Sequence, residues 1–146
     1  MRTDIFKCKL VKEGEVQYNA ITQSHQAVEI ARNLGLHEEA EEHVMMIALN
    51  ARGGVLGVHM VSHGTVTGAV AEPRDVFKRA ILNNASALIL IHNHPSGDTT
   101  PSDLDVALTR RLTECGNLLG IKFLDHIIIG DGYISMFENG LMEKGA

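Results

Sequence analysis

The sequence has no tryptophan and only four phenylalanines and two tyrosines. Aromatic residues interleaved with basic ones, the platform on which single-stranded nucleic acid stacks, are therefore missing. Basic residues are outnumbered 18 to 13 by acidic ones, for a formal net charge of −5. That balance argues against a broad phosphate-binding face, although it leaves room for a local patch. Two cysteines, Cys8 and Cys115, form no C-x-x-C pair and suggest no disulfide framework, so a reducing cytoplasm is the expected setting. The longest apolar runs fall far short of the ~20 residues needed to cross a membrane. The opening Met1-Arg2-Thr3-Asp4-Ile5 has no apolar signal-peptide core. Internal repeats, low-complexity segments and linkers are absent too, which leaves 146 residues for one domain with a sizeable core.

What is present concentrates in one stretch, His92 to Asp105. It follows Ala87-Leu88-Ile89-Leu90-Ile91, a short apolar run rich in β-branched residues that reads as a buried strand. His92 and His94 sit two apart, so at a strand end they project to the same side as a ready pair of metal ligands. The chain then turns through Pro95, Gly97 and Pro101, and Ser102 opens a helix. Ser102-x-x-Asp105 has the spacing of a capping box, which places Asp105 in the first helical turn. A carboxylate there can face back toward the two histidines and complete a three-ligand site. Three protein ligands with a fourth position left for water is the pattern of catalytic zinc. Taken singly, each histidine is a polar residue at a strand end, and Ser102 and Asp105 are a cap and a dipole-favoured charge. The coincidence of all of them favours the metal site.

The rest of the chain is read around this stretch. Ile5 to Tyr18 alternates mildly about Gly14 and suggests an edge hairpin. Ser24 looks like the N-cap of a helix through Leu34, with Gly35 closing it. The acidic run Glu38-Glu39-Ala40-Glu41-Glu42 leads into a buried strand, Val44 to Leu49, and Asn50 to Gly54 is a hairpin turn before a partner strand, Val55 to Ser62. His63-Gly64-Thr65 ends that strand. A helix runs from Pro73 to about Asn83 with Val76, Phe77, Ala80 and Ile81 as its apolar set. The helix from Ser102 carries Leu104, Leu108, Leu112, Cys115 and Leu119 inward and stops at Gly120. Ile121 to Ile129 is a strand, Asp131-Gly132 a tight turn, and Tyr133 to Phe137 a last strand. The order αββαβαββ predicts an α/β sandwich with a mixed, curled sheet and helices packed on it.

His92-x-His94, seven residues, Ser102, two residues, Asp105 resembles the signature of the JAMM (MPN/JAB) metalloproteases. Pro73-Arg74-Asp75, His92 to Asp98 and Leu124-Asp125-His126 resemble the RadC-type branch of that family, over roughly Ser24 to Met142. The resemblance implies a JAB/MPN-like, cytidine-deaminase-like sandwich over residues 24–146, with residues 1–23 as an N-terminal extension. It implies Zn2+ on His92, His94 and Asp105, Glu42 as the general base, and Ser102 as a stabiliser of the oxyanion. Glu41 is the nearest competitor to Glu42, and in an extended segment its side chain points to the opposite face. Asp125 and His126, polar residues in an apolar strand, either support the zinc ligands by hydrogen bonding or pair within the core; we prefer the structural reading. His25, His37, His43, His59 and His63 are read as ordinary.

The expected activity is zinc-dependent hydrolysis of peptide or isopeptide bonds, with a peptide or isopeptide-linked protein as partner. The alternative is a non-catalytic RadC-like module that binds protein or DNA. Family members often carry a preceding helix–hairpin–helix domain, and the roughly forty residues before Glu42 are too few for one. The adjacent letters His92-Asn93-His94 are unrelated to the dispersed motif of the HNH nucleases. The P-C-x-x-C of zinc deaminases and the H-E-x-x-H of helical zinc proteases are both missing.

Overall fold

The computed structural model describes residues 1–63 and 71–142, and the side chains of Ser62 and His63 lie outside that description. The described residues form five strands and three α-helices. They are α1 (Ser24–Asn33), β1 (His43–Leu49), β2 (Val55–His63), α2 (Pro73–Leu82), β3 (Ala87–Asn93), α3 (Asp103–Leu119), β4 (Lys122–Gly130) and β5 (Gly132–Ser135). A short 3-10 turn, Leu36–Glu38, links α1 to the acidic run. The strands form one mixed sheet in the order β2-β1-β3-β4-β5, as the αββαβαββ pattern predicts. β1 pairs antiparallel with β2 and β3, β3 runs parallel to β4, and β4 turns back into β5.

Both faces of this sheet are covered, which explains why β1 and β3 are apolar without alternation. Met45, Ile47, Leu49, Ile89, Ile91, Ile127 and Ile129 pack against α1 through Ala27, Val28, Ile30 and Ala31. Val44, Met46, Ala48, Leu88 and Leu90 face the other way, onto Val76, Phe77 and Ala80 of α2 and Leu108 and Leu112 of α3. Alternate residues of each central strand therefore belong to opposite core layers. His92 continues the Leu88–Leu90 side, so it emerges from the sheet beneath the start of α3. Because β3 and β4 are parallel, α3 crosses over between them, and its N-terminus lies at the carboxyl end of β3. That end is where open α/β sheets present their ligand crevices.

Several expectations change at the edges. The hairpin expected over Ile5–Tyr18 is not formed: residues 1–20 carry neither helix nor strand, and Ile5 and Phe6 are exposed. A two-stranded hairpin without a third strand or a packed helix has little to hold it, and only Val16 and Ile21 of this region reach the core. Ser24 is the first residue of α1 rather than its cap. Gln23 is the N-cap, and the Gln26 side chain reaches back to it, accepting the Thr22 and Gln23 N–H groups at 2.7 Å each. Ser24 Oγ instead donates to Glu138 at 2.5 Å. Ile81, Leu104 and Leu119 are exposed rather than inward, because each helix lies against the sheet along a narrower stripe than its apolar residues span. β5 ends at Ser135 rather than Phe137, and the expected strand end at His63-Gly64-Thr65 falls partly outside the described residues. No helix among the described residues is long and apolar enough to cross a membrane.

Candidate metal centre

Four side chains converge at the carboxyl end of β3. One ligand atom from each of Glu42, His92, His94 and Asp105 lies within 4.8 Å of the others. His92 is the last inward residue of β3 on the α3 side and is fully buried. His94 follows the strand, its backbone N–H donating to the Ile129 carbonyl at 2.8 Å, so the chain stays alongside β4 while the ring swings over the sheet end. The loop after it is held tightly against the β4–β5 turn. The Asp131 N–H donates to the Gly97 carbonyl at 2.7 Å, and a Cβ on Gly130 would stand 2.3 Å from that same oxygen. Only glycine fits there.

Ser102 caps α3 as its spacing predicts. The Asp105 N–H donates to Ser102 Oγ at 3.1 Å and the Ser102 N–H donates to Asp105 Oδ2 at 2.8 Å. This reciprocal box turns the carboxylate back toward β3. Oδ2 then lies 3.1 Å from His94 Nε2, and Oδ1 lies 3.2 Å from His92 Nε2. The two imidazole Nε2 atoms are 3.0 Å apart.

The donor set fits a cation. His94 Nδ1 lies 2.7 Å from the Asp98 carbonyl, which only accepts, so Nδ1 carries the ring proton and Nε2 points into the site as a bare lone pair. That lone pair faces Asp105 Oδ2, another acceptor, and two acceptors at this distance repel unless a proton or a metal ion lies between them. Asp105 Oδ1 is buried with no hydrogen-bond partner among the described residues. A buried, unsatisfied carboxylate oxygen is costly, and a metal ion would satisfy it. Burial pushes the Asp105 carboxyl up, but the adjacent His92 and the Ser102 cap outweigh it and hold the group well below the usual carboxylate range.

Glu42 is set apart from the other three. Its Oε1 is 3.4 Å from His92 Nε2 and 3.9 Å from His94 Nε2, beyond hydrogen-bond length. Its side chain is 29 % exposed where that of Asp105 is 1 %. It stands at the mouth of the site. Glu41 is exposed, and only its backbone carbonyl has a structural task, accepting from His43 Nδ1 at 2.9 Å and Asn93 Nδ2 at 3.0 Å.

Asn93, between the two histidines, escapes a reading based on ligands. Its side chain is buried, accepts from the His43 N–H at 2.7 Å and reaches the Glu39 and Glu41 carbonyls, so it pins the acidic run that presents Glu42. A lone Asn in a buried strand was the signal for it. The preference for a structural His126 is corrected: His126 Nε2 lies 2.8 Å from His92 Nδ1, in direct support of the candidate ligand, and Thr109 Oγ1 lies 2.6 Å from His126 Nδ1. Burial first, and the neighbouring His92 second, hold the His126 pKa well below 6.5, so the ring is neutral. Asp125 points elsewhere and ties β4 to the chain's end, accepting from Ser135 Oγ at 2.5 Å and the Phe137 N–H at 3.0 Å. His25, His37, His43 and His59 lie outside the cluster.

Comparison with known proteins agrees with this architecture. A family model described as "RadC-like JAB domain" matches residues 21–141. A UPF0758 protein of Caldanaerobacter subterraneus subsp. tengcongensis is 50% identical over 102 residues, covering 69% of this chain and 44% of the relative. One from Syntrophomonas wolfei is 40% identical over 134 residues, covering 88% and 57%, and one from Enterococcus faecalis is 35% identical over 134 residues, covering 90% and 56%. The chain thus spans about half the length of these relatives. With the match running from before α1 to beyond β5 and including the four converging side chains, the chain belongs to the RadC-like JAB domain family.

Proposed function

We propose that this domain is a zinc-dependent hydrolase of peptide or isopeptide bonds. The observation that carries the reading is the convergence of His92 Nε2, the half-buried His94 Nε2 and the buried, unsatisfied Asp105 Oδ1, with a carboxylate held just outside them. Two imidazoles and one carboxylate are a donor set that suits zinc, and three protein ligands leave a position open. When bound, zinc supplies Lewis acidity that polarises a carbonyl and lowers the pKa of water to about 7.

The remaining work falls to side chains. Glu42, at the mouth and outside those three donors, takes the proton of the attacking water and hands it to the leaving amine. Water's oxygen adds to the carbonyl carbon, the C–N bond breaks, and the amine departs with that proton. Ser102 Oγ accepts from the Asp105 N–H and its hydroxyl lies beside the Asp105 carboxylate; we assign to it the oxyanion that develops on the carbonyl oxygen. The substrate class is a peptide or an isopeptide-linked protein.

The test is zinc-loaded protein assayed against peptide and isopeptide libraries. The expected result is cleavage that stops on chelation and returns with zinc. No cleavage in either library, or cleavage indifferent to chelation, would overturn the reading.

A further inference from the structure

We propose that Thr109 and His126 are positioning residues that set the tautomer of His92, holding its Nε2 bare for the ion. The proposal rests on the metal-centre reading above and adds to it two residues that touch neither ion nor substrate.

Thr109 lies one turn beyond Asp105 in α3, and its hydroxyl has a single proton to give. Oγ1 is 2.8 Å from the Asp105 carbonyl oxygen and 3.5 Å from Met136 Sδ, and both of these only accept. The threonine proton is therefore committed to them. Toward His126 Nδ1, 2.6 Å away, Oγ1 must accept, so Nδ1 carries the proton. His126 is fully buried, with no carboxylate hydrogen-bonded to it among the described residues, and a neutral imidazole has only one proton. Its Nε2 is then a lone pair directed at His92 Nδ1, 2.8 Å away, which must donate. His92 is the Nδ1–H tautomer, and its Nε2 faces His94 Nε2 and Asp105 Oδ1 unprotonated.

The relay runs in one direction because it is anchored on a carbonyl. Reversing it would turn the threonine proton toward His126 and leave Oγ1 and the Asp105 carbonyl oxygen, 2.8 Å apart, facing each other as two acceptors. It is also closed: it begins on the backbone of one candidate ligand, Asp105 in α3, and ends on the ring of another, His92 in β3. Docking α3 on β4 thus fixes the protonation pattern of a ligand on a third element, so the site is chemically ready only when those elements are packed.

Thr113 provides an internal comparison. Its Oγ1 donates to the Thr109 carbonyl at 2.8 Å, the same i to i−4 habit of helical threonines, with no histidine behind it. Were Thr109 an ordinary helical threonine, the two would respond alike to substitution.

The experiment is long-range 1H–15N spectroscopy of the histidine rings, together with zinc affinity measured by chelator competition. In the wild-type protein His126 should be protonated at Nδ1 and bare at Nε2, metal-free and zinc-loaded. Thr109→Val keeps the shape but removes the acceptor, so His126 can adopt the Nε2–H form. That form pushes His92 to Nε2–H and blocks its ligand atom. The zinc dissociation constant should rise by about 10–100-fold, the usual cost of losing outer support of a ligand. Thr109→Ser should restore both readouts, and Thr113→Val should leave both unchanged. A wild-type His126 protonated at Nε2 overturns the relay, as does a Thr109→Val variant with unaltered tautomer and zinc affinity. The wild-type spectrum decides alone if Thr109→Val fails to fold. A wild-type chain that takes up no zinc overturns the metal reading instead, and the His126 spectrum still judges the relay.

Discussion

Replacing Glu42 by Gln separates chemistry from architecture at the candidate site. The exchange keeps size and hydrogen-bonding capacity but removes the ability to accept a proton at neutral pH. Its structural cost is small on the distances observed. Glu42 Oε1 is 3.4 Å from the nearest imidazole nitrogen and the side chain is 29 % exposed, so no formed hydrogen bond is lost. Partly exposed ion pairs of this kind contribute about 0–1 kcal/mol. In a domain of this length that moves Tm by no more than about 2–4 °C. The catalytic cost is larger. General-base catalysis contributes roughly 10²–10⁴ in rate, or about 3–5 kcal/mol of barrier. Zinc content should be unchanged, because His92, His94 and Asp105 are untouched. The assay is turnover of a peptide or isopeptide substrate taken from the library screen, run beside elemental analysis and thermal unfolding. Glu41→Gln is the control: its side chain is exposed and only its backbone is used, so nothing should change. Wild-type turnover by zinc-loaded Glu42→Gln would refute the reasoning. Loss of turnover in Glu41→Gln instead would move the base by one residue.

The other predictions concern the donors, the loop and the core. Protein purified without added metal should contain zinc by elemental analysis, and His92→Ala or Asp105→Ala should lose most of it; full retention in both variants sinks the assignment. Gly130→Ala places a Cβ 2.3 Å from the Gly97 carbonyl oxygen, so the loop that orients His94 through Asp98 must shift. The expected cost is about 1–3 kcal/mol in chemical denaturation, with weaker zinc binding, and an unchanged protein would refute the close approach. Burial raises the pKa of Asp125 above 3.8, only partly offset by its Ser135 and Phe137 partners. The folded state therefore holds this proton more tightly than the unfolded chain. Its stabilising contribution is present below pH 3.8 and is lost as pH rises through the raised native value. Asp125→Asn removes that loss, so its stability relative to wild type should climb from acid toward neutral pH, and a flat difference across that range would contradict the shift.

Spacing and residue type were enough to determine much of this protein. Apolar runs bounded by turn residues placed the five strands, because strands buried on both faces read as unbroken hydrophobic text. His92, His94, Ser102 and Asp105 were legible as a group because their geometry is local: a strand end, a short loop and a capping box fix their relative positions within fourteen residues. In the sequence only the family resemblance singles out Glu42; what brings it to the site is tertiary. It lies fifty residues from His92 in the chain and reaches the site only because β1 pairs with β3, Val44 opposite His92. The alternation of an extended segment already separates it from Glu41, whose side chain the structure leaves exposed.

The second layer was beyond local reading for the same reason. Thr109, His126 and His92 belong to α3, β4 and β3, and their contacts exist only once α3 has crossed over and settled on the sheet. A register irregularity between β3 and β4, at Leu88/Ile89, also breaks the simple alternation of β4. Phe123 and His126, three apart, come to face each other at 6.2 Å between ring centroids, where a regular strand would have put them on opposite faces. The N-terminal residues failed in the opposite sense. Their alternation suggests a hairpin, but pairing is decided by whether a third element offers a surface to bury, and among the described residues no strand pairs with them. Local periodicity determines which residues turn inward; which of them meet is decided by strand order and helix docking, where hydrogen bonds between distant segments are finally satisfied.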